Sequence, residues 1–145
     1  MFKVTPQESV ARNRIVLIAS SDEESVEKWK SLFREMNCPV IVEDNPQDAE
    51  QSAKILWPSL ILLDLVIAHH ERLELCRRLK AAGGGILLLL SPMEDAPAIF
   101  EYIQAGVDEH ITTPVNPMTL AVKSTAWLIR RRWSASLYSF NHSLA

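Results

Sequence analysis

Glycine is scarce in this chain. There are four in 145 residues, three of them consecutive at Gly83-Gly84-Gly85. None falls in Ser20-Ser21-Asp22-Glu23, after the first apolar run. A glycine-rich loop cradling a phosphate at a helix N-terminus is therefore excluded there, and the two acids would repel an anion. Cysteine is scarcer still. Cys38 and Cys76 are isolated and share no metal-ligand spacing, which suits a reducing cytoplasm. Cationic excess is absent too: the net charge is −3, and only Arg130-Arg131-Arg132 is locally basic. General affinity for nucleic acid or an anionic membrane is not expected. The longest aliphatic stretch, Ile86 to Leu90, is far too short to span a bilayer. Met1-Phe2-Lys3-Val4-Thr5-Pro6 lacks the apolar core of a signal peptide, so a cytoplasmic location is expected. Internal repeats and low-complexity segments are lacking.

What is present is ordinary for one soluble globular domain: 48% hydrophobic and 23% charged residues. Arg14 to Ala19 reads as a first buried strand. Ser21-Asp22-Glu23-Glu24 reads as a capping box opening a helix with Val26, Trp29, Phe33 and Met36 on its apolar face. Val40 to Val42 is a second strand. Asn45 as N-cap and Pro46 at the first helical position open a helix to about Leu56, before Pro58. Leu60 to Asp64 is a third strand, four large aliphatics and then a carboxylate. A helix from about Glu71 to Ala81 ends at the glycines. Ile86 to Leu90 is a fourth strand, Ala96 to Ala105 a helix, and Glu109 to Thr112 a fifth strand. Pro117 opens a last helix to about Trp133.

Strand and helix alternate five times, which implies α/β architecture: a doubly wound parallel sheet with helices on both faces and right-handed crossovers. Short aliphatic strands suit burial on both sides. In such sheets ligands bind at the C-terminal edge, beside the point where strand order reverses. Ala19, Ser20, Asp64 and Ser91 should converge there. Asp64 is the first candidate for a working residue.

Three segments carry a resemblance to a known family. They are Ile61-Leu62-Leu63-Asp64-Leu65 with Leu73-Glu74-Leu75-Cys76-Arg77-Arg78-Leu79 following; Ile86-Leu87-Leu88-Leu89-Leu90-Ser91; and Ala105-Gly106-Val107-Asp108-Glu109-His110-Ile111-Thr112-Thr113-Pro114. In order and spacing they resemble the receiver domain of two-component response regulators, over roughly residues 14–132. The resemblance implies a flavodoxin-like sheet of strand order 2-1-3-4-5. It also implies Asp64 as phosphoacceptor, Ser91 as the hydroxyl contacting the phosphoryl group, and Mg²⁺ as the ion aiding transfer. Residues 1–13 are then a flexible arm, 14–133 the receiver domain and 134–145 a C-terminal tail.

The departures matter equally. Where the family closes strand one with two acids, this chain has Ala19 and Ser20; where it has Lys before the proline after strand five, Thr113 stands. His110 takes the place of the family's late strand-five aromatic, and Ala68 and Arg72 stand in a loop that usually carries Pro and Gly. Phosphoryl transfer depends on positioning and charge neutralisation, and Mg²⁺ favours carboxylates. Asp64 is the single charged ligand left, so Mg²⁺ binding is expected to be weak and no cofactor is expected.

Other residues have plainer readings. Asp22 and Glu23 suit the first helical turn and its dipole better than a metal. His69, His70 and Glu71 could suit a softer ion, but adjacent side chains diverge, so a solvated loop is expected. Asp64 could cap its loop or bond Ser20 or Ser91; Ser91 could serve only its turn; His110 reads as a partly exposed spacer. Trp127 and Trp133 read as core or core-edge, and Leu137-Tyr138-Ser139-Phe140 is apolar for a tail. The expected function is therefore an atypical, non-enzymatic receiver acting by protein–protein interaction. It would bind itself or a partner, with a histidine kinase among the candidates, through helix four, strand five and helix five, a face holding His110, Thr113 and Trp127. An ordinary phosphorylatable response regulator is the alternative. A small flavin- or nucleotide-binding enzyme is the lesser one.

Overall fold

The structure is a computed structural model and describes the backbone of residues 14–143 and the side chains of residues 14–131. The expected N-terminal arm lies outside the described residues, as do the side chains of Trp133, Leu137, Tyr138 and Phe140. The elements are β1 (Val16–Ser20), α1 (Glu23–Glu35), β2 (Val40–Glu43), α2 (Pro46–Leu56), β3 (Leu60–Asp64), α3 (His69–Gly83), β4 (Ile86–Ser91), α4 (Ala96–Gln104), β5 (Glu109–Thr112) and α5 (Pro117–Ser143). All strands pair in parallel in one sheet of order β2-β1-β3-β4-β5. This is the expected doubly wound fold. The order reverses at β1, and the register sets Ser20 beside Asp64.

Successive strand residues point to opposite faces, and each face has its own core. Leu17, Ile61, Leu63, Leu87 and Leu89 face α2, α3 and α4, meeting Ala49, Ala53, Cys76, Leu79 and Tyr102. Val16, Ile18, Leu60, Leu62, Leu88 and Leu90 face α1 and α5, meeting Val26, Trp29, Phe33 and Leu120. Each such aliphatic, taken fully out of water, contributes about 1.5–3 kcal/mol. Both cysteines are buried and free. Burial pushes the Cys76 thiol up to about 12, so it is an inert core residue.

Three boundaries differ from the sequence reading. The N-cap of α1 is Asp22 rather than Ser21, because Ser25 donates both its N–H (3.5 Å) and its hydroxyl (2.8 Å) to the Asp22 carboxylate. α3 begins at His69, so His69 and His70 are helical and not a solvated loop; its N-cap, Ala68, makes no side-chain cap bond. α5 does not end near Trp133 but continues to Ser143. No proline or glycine follows Pro117 to stop it.

Candidate functional site

Asp64 ends β3 and is half-buried, on the wall of a crevice of about 470 Å³. Asp22, Ser25, Lys28 and Thr113 share that wall. The expected convergence at the C-terminal sheet edge holds for Asp64 and its neighbour Ser20. The Ser20 hydroxyl donates to Asp64 Oδ2 at 3.0 Å and also accepts the Asp22 N–H at 3.2 Å. Burial pushes the Asp64 carboxyl above its ordinary value, opposed by the Ser20 bond; the Asp22 charge raises it further and the Arg72 charge lowers it.

The donor set does not fit Mg²⁺. Ala19 is fully buried and offers no ligand. Ser20 supplies a neutral hydroxyl already engaged at Asp64. Asp22 is committed to capping α1, where the Ser25 bonds hold its carboxyl below the usual range. Among the described residues, no group of three or more His, Cys, Asp or Glu is placed to hold a metal ion. A hard octahedral cation needs more anionic oxygen than one carboxylate. Lys28 puts an ammonium on the crevice wall that sequence reasoning missed. Its side chain is 61% exposed and pairs with Glu24 at 3.5 Å, so it is not fixed on Asp64.

Ser91 ends β4 and is buried, but it does not line the Asp64 crevice. Its hydroxyl lies 2.7 Å from His110 Nε2 and 3.3 Å from Glu94 Oε1 and from the Pro92 carbonyl. His110 is thus no spacer. It is half-buried and hydrogen-bonded, and its ring stacks on Tyr102 at 6.2 Å. Desolvation pushes the imidazole below its ordinary value, against the pull of Glu94 and with the push of Arg72.

Ser91 and His110 belong to a polar network that the sequence reading did not find. Arg72 Nη1 donates to Glu94 at 3.3 Å and to the Tyr102 hydroxyl at 3.0 Å, and Nη2 donates to the Ile67 carbonyl at 3.2 Å. Tyr102 Oη donates to Glu94 at 3.2 Å and meets His69 Nδ1 at 3.0 Å. The network ties α3, the β4–α4 loop, α4 and β5 together. Its signal was Tyr102, which is fully buried: a tyrosine in a core finds partners for its hydroxyl.

Trp127 is half-buried against the core, with its indole N–H on Glu109 Oε1 at 2.8 Å and Arg130 stacked 4.5 Å above its ring. Lys123 also bonds Glu109. Thr113, placed on the interaction face by the sequence reading, is on the Asp64 crevice.

A sequence profile of the response regulator receiver domain matches residues 16–124. The chain belongs to the response regulator receiver domain family. These are signalling rather than catalytic domains, which sets aside the flavin- or nucleotide-binding enzyme. The receiver is 25% identical over 115 residues to the DNA-binding response regulator MtrA of Mycobacterium tuberculosis, covering 79% of this chain and 50% of that protein. It is 25% identical over 131 residues to the transcriptional regulatory protein ResD of Bacillus subtilis, covering 89% and 54%. The chain therefore spans about half the length of these curated relatives. Among solved structures, a CheY-like receiver from Methanospirillum hungatei superposes with a TM-score of 0.76 at 19% identity, covering 83% of this chain and 98% of that one. A two-component response regulator from Clostridium difficile does so with a TM-score of 0.74 at 20% identity, covering 81% and 97%. Among the described residues, no helix is long and apolar enough to cross a membrane.

Proposed function

We propose that this receiver works by protein–protein interaction, with weak or no Mg²⁺-dependent phosphorylation at Asp64. The observation that carries the reading is the Ser20 hydroxyl bonded to Asp64 at 3.0 Å, where the family has a carboxylate. A phosphoryl group there would meet no Mg²⁺-binding acid pair and no lysine at Thr113. Transfer is governed by positioning and electrostatic neutralisation, so losing both cations raises its barrier. Ser91 adds to the argument: its hydroxyl is already on His110.

The interaction surface is the face of α4, β5 and α5, which serves a protein partner or a second copy. Phe100 and Ile103 of α4, and Val122 and Ile129 of α5, are large apolar side chains 47–62% exposed. These side chains give the face apolar surface that a partner would cover. A histidine kinase is the other partner class. The DNA-binding and transcriptional roles named for MtrA and ResD belong to longer proteins, of which this chain matches about half, and no output is assigned here.

The test is intact mass after incubation with Mg²⁺ and acetyl phosphate, beside Asp64→Asn. No mass gain in the folded protein is expected. A phosphoryl gain that the Asn variant lacks would overturn the proposal in favour of an ordinary phosphorylatable regulator.

A further inference from the structure

α5 is too long for the sheet it covers. The strands run four to six residues, about 13–20 Å, whereas the 27 residues of α5 span about 40 Å. The helix reaches the N-terminal edge of the sheet at Arg131, whose guanidinium donates to the Ser59 carbonyl at 3.0 Å, just before β3. Helical positions 132–143 carry it about 18 Å further.

One line of positions is apolar over this whole length. Met118, Val122, Ala126, Ile129, Trp133, Leu137 and Phe140 follow at steps of 4, 4 and 3, so the pattern repeats every 11 residues. The first four are exposed, on the side of the helix opposite the fully buried Leu120 and Ser124. Around them Ala121, Val122, Thr125, Ala126 and Ile129 line an apolar trough of about 350 Å³.

The period names the occupant. A helix with an 11-residue repeat winds out of contact with one of a different period and stays aligned with one of its own. A second α5 has that period by construction. Charge offers no rival: no Asp, Glu, Lys or Arg lies between Trp133 and Ser143, and Lys123, Arg130 and Arg131 are engaged by Glu109, the Trp127 ring and the Ser59 carbonyl.

Residue size sets the direction. The domain-borne half of the line holds Val122 and Ala126; the half beyond holds Trp133, Leu137 and Phe140. Two copies running antiparallel about Arg131 set position 126 level with 137, 122 with 140 and 129 with 133, smaller against larger each time. A parallel pair would set Ala126 level with Ala126 and Trp133 level with Trp133, a gap at one level and crowding at the other. The antiparallel pair is isologous, so the extension of each copy covers the trough of the other and assembly stops at two.

We propose that α5 pairs antiparallel with α5 of a second copy, positions 132–143 of each lying along the trough of the other. The inference deepens the interaction reading above, on which it rests for the use made of the contact, and its test does not involve Asp64. The full chain would be followed by sedimentation velocity from about 1 to 200 µM, which brackets micromolar dissociation constants, beside Leu137→Glu/Phe140→Glu. A monomer–dimer equilibrium is expected, with a dissociation constant raised about tenfold or more in the double variant and an unchanged circular dichroism melt of the domain. Three arginines meet their own copies near the midpoint, so salt should leave the dimer intact or tighten it. Direction is read by bismaleimide cross-linking of Ala126→Cys mixed with Leu137→Cys; Cys38 and Cys76 are buried. The mixture should cross-link and either variant alone should not. A monomer throughout, a dimer that the double variant leaves intact or that salt dissolves, or cross-linking of Ala126→Cys with itself would overturn the proposal. So would binding to phosphatidylcholine–phosphatidylserine vesicles that the double variant abolishes, which would assign the line to a membrane surface. A phosphoryl gain at Asp64 would overturn the interaction reading without touching the dimer, so the two failures are distinguishable.

Discussion

Arg72–Glu94 and Arg77–Glu74 are both Arg–Glu pairs, and their structures predict different couplings. The Arg77 pair is shorter, 3.0 Å against 3.3 Å. Distance alone would make it the stronger. Its side chains are 57% and 54% exposed, however, whereas those of Arg72 and Glu94 are 13% and 21% exposed. At 3.3 Å and an effective dielectric of about 20, the Coulomb attraction is about 5 kcal/mol before desolvation is subtracted. Partial desolvation and the shared Tyr102 hydroxyl reduce the net coupling to about 1–2 kcal/mol. The exposed pair, screened and losing side-chain entropy, should give about 0.3–0.5 kcal/mol. The experiment is a double-mutant cycle by urea denaturation, Arg72→Met with Glu94→Gln, against Arg77→Met with Glu74→Gln. The cycle cancels the separate loss of the Arg72 bond to the Ile67 carbonyl. Equal couplings, or a value below about 0.5 kcal/mol for Arg72–Glu94, would refute the argument that burial and not distance sets the strength of this tie.

Other expectations follow from the same geometry. Asp64 has a carboxyl raised above 3.8 by burial, so the folded state holds its proton more tightly than the unfolded state does. Its contribution to stability therefore falls as pH rises from that value through the raised one. Asp64→Asn should be more stable than the parent at pH 7, with the difference vanishing in acid, as thermal melts across pH will read. His110 is shifted the other way, below 6.5. Its stabilising contribution is present above 6.5 and is lost as pH falls through that value towards the depressed one. His110→Phe should remove that slope from the stability profile, and an imidazole titration by NMR locates it. At Gly85, an added Cβ would lie 2.2 Å from the Pro58 carbonyl oxygen, a backbone atom. Gly85→Ala should cost about 3 kcal/mol, measured by chemical denaturation, while the exposed Gln51→Ala on α2 should change stability by under about 0.5 kcal/mol.

The fold was legible because strands such as Leu60 to Asp64 advertise themselves locally: a short aliphatic run has few ways to be buried. The parallel doubly wound sheet and the position of Asp64 followed from that alternation, and the strand order from the family resemblance. Legibility failed where the deciding partner is distant in sequence or lacks a local signal. The start of α3 has no capping side chain, because Ala68 cannot supply one, so His69 and His70 read as loop. Ser21 and Asp22 are both competent caps, and the choice fell to Ser25, whose hydroxyl is on Asp22. Arg72 looked like a loop departure, but its partners Glu94 and Tyr102 are 22 and 30 residues away, beyond the reach of any periodicity. His110 failed for the same reason, with Ser91 on a neighbouring strand.

The bond between Ser91 and His110 bears on how such a module is governed. A hydroxyl free to swing towards an incoming group makes a surface conditional; one bonded at 2.7 Å to its strand neighbour has to give up that bond first. Under the proposed function, occupancy then follows mass action alone, set by how much partner is present relative to the dissociation constant. Control passes from chemistry on the domain to supply: synthesis, turnover and competition among partners for the same face.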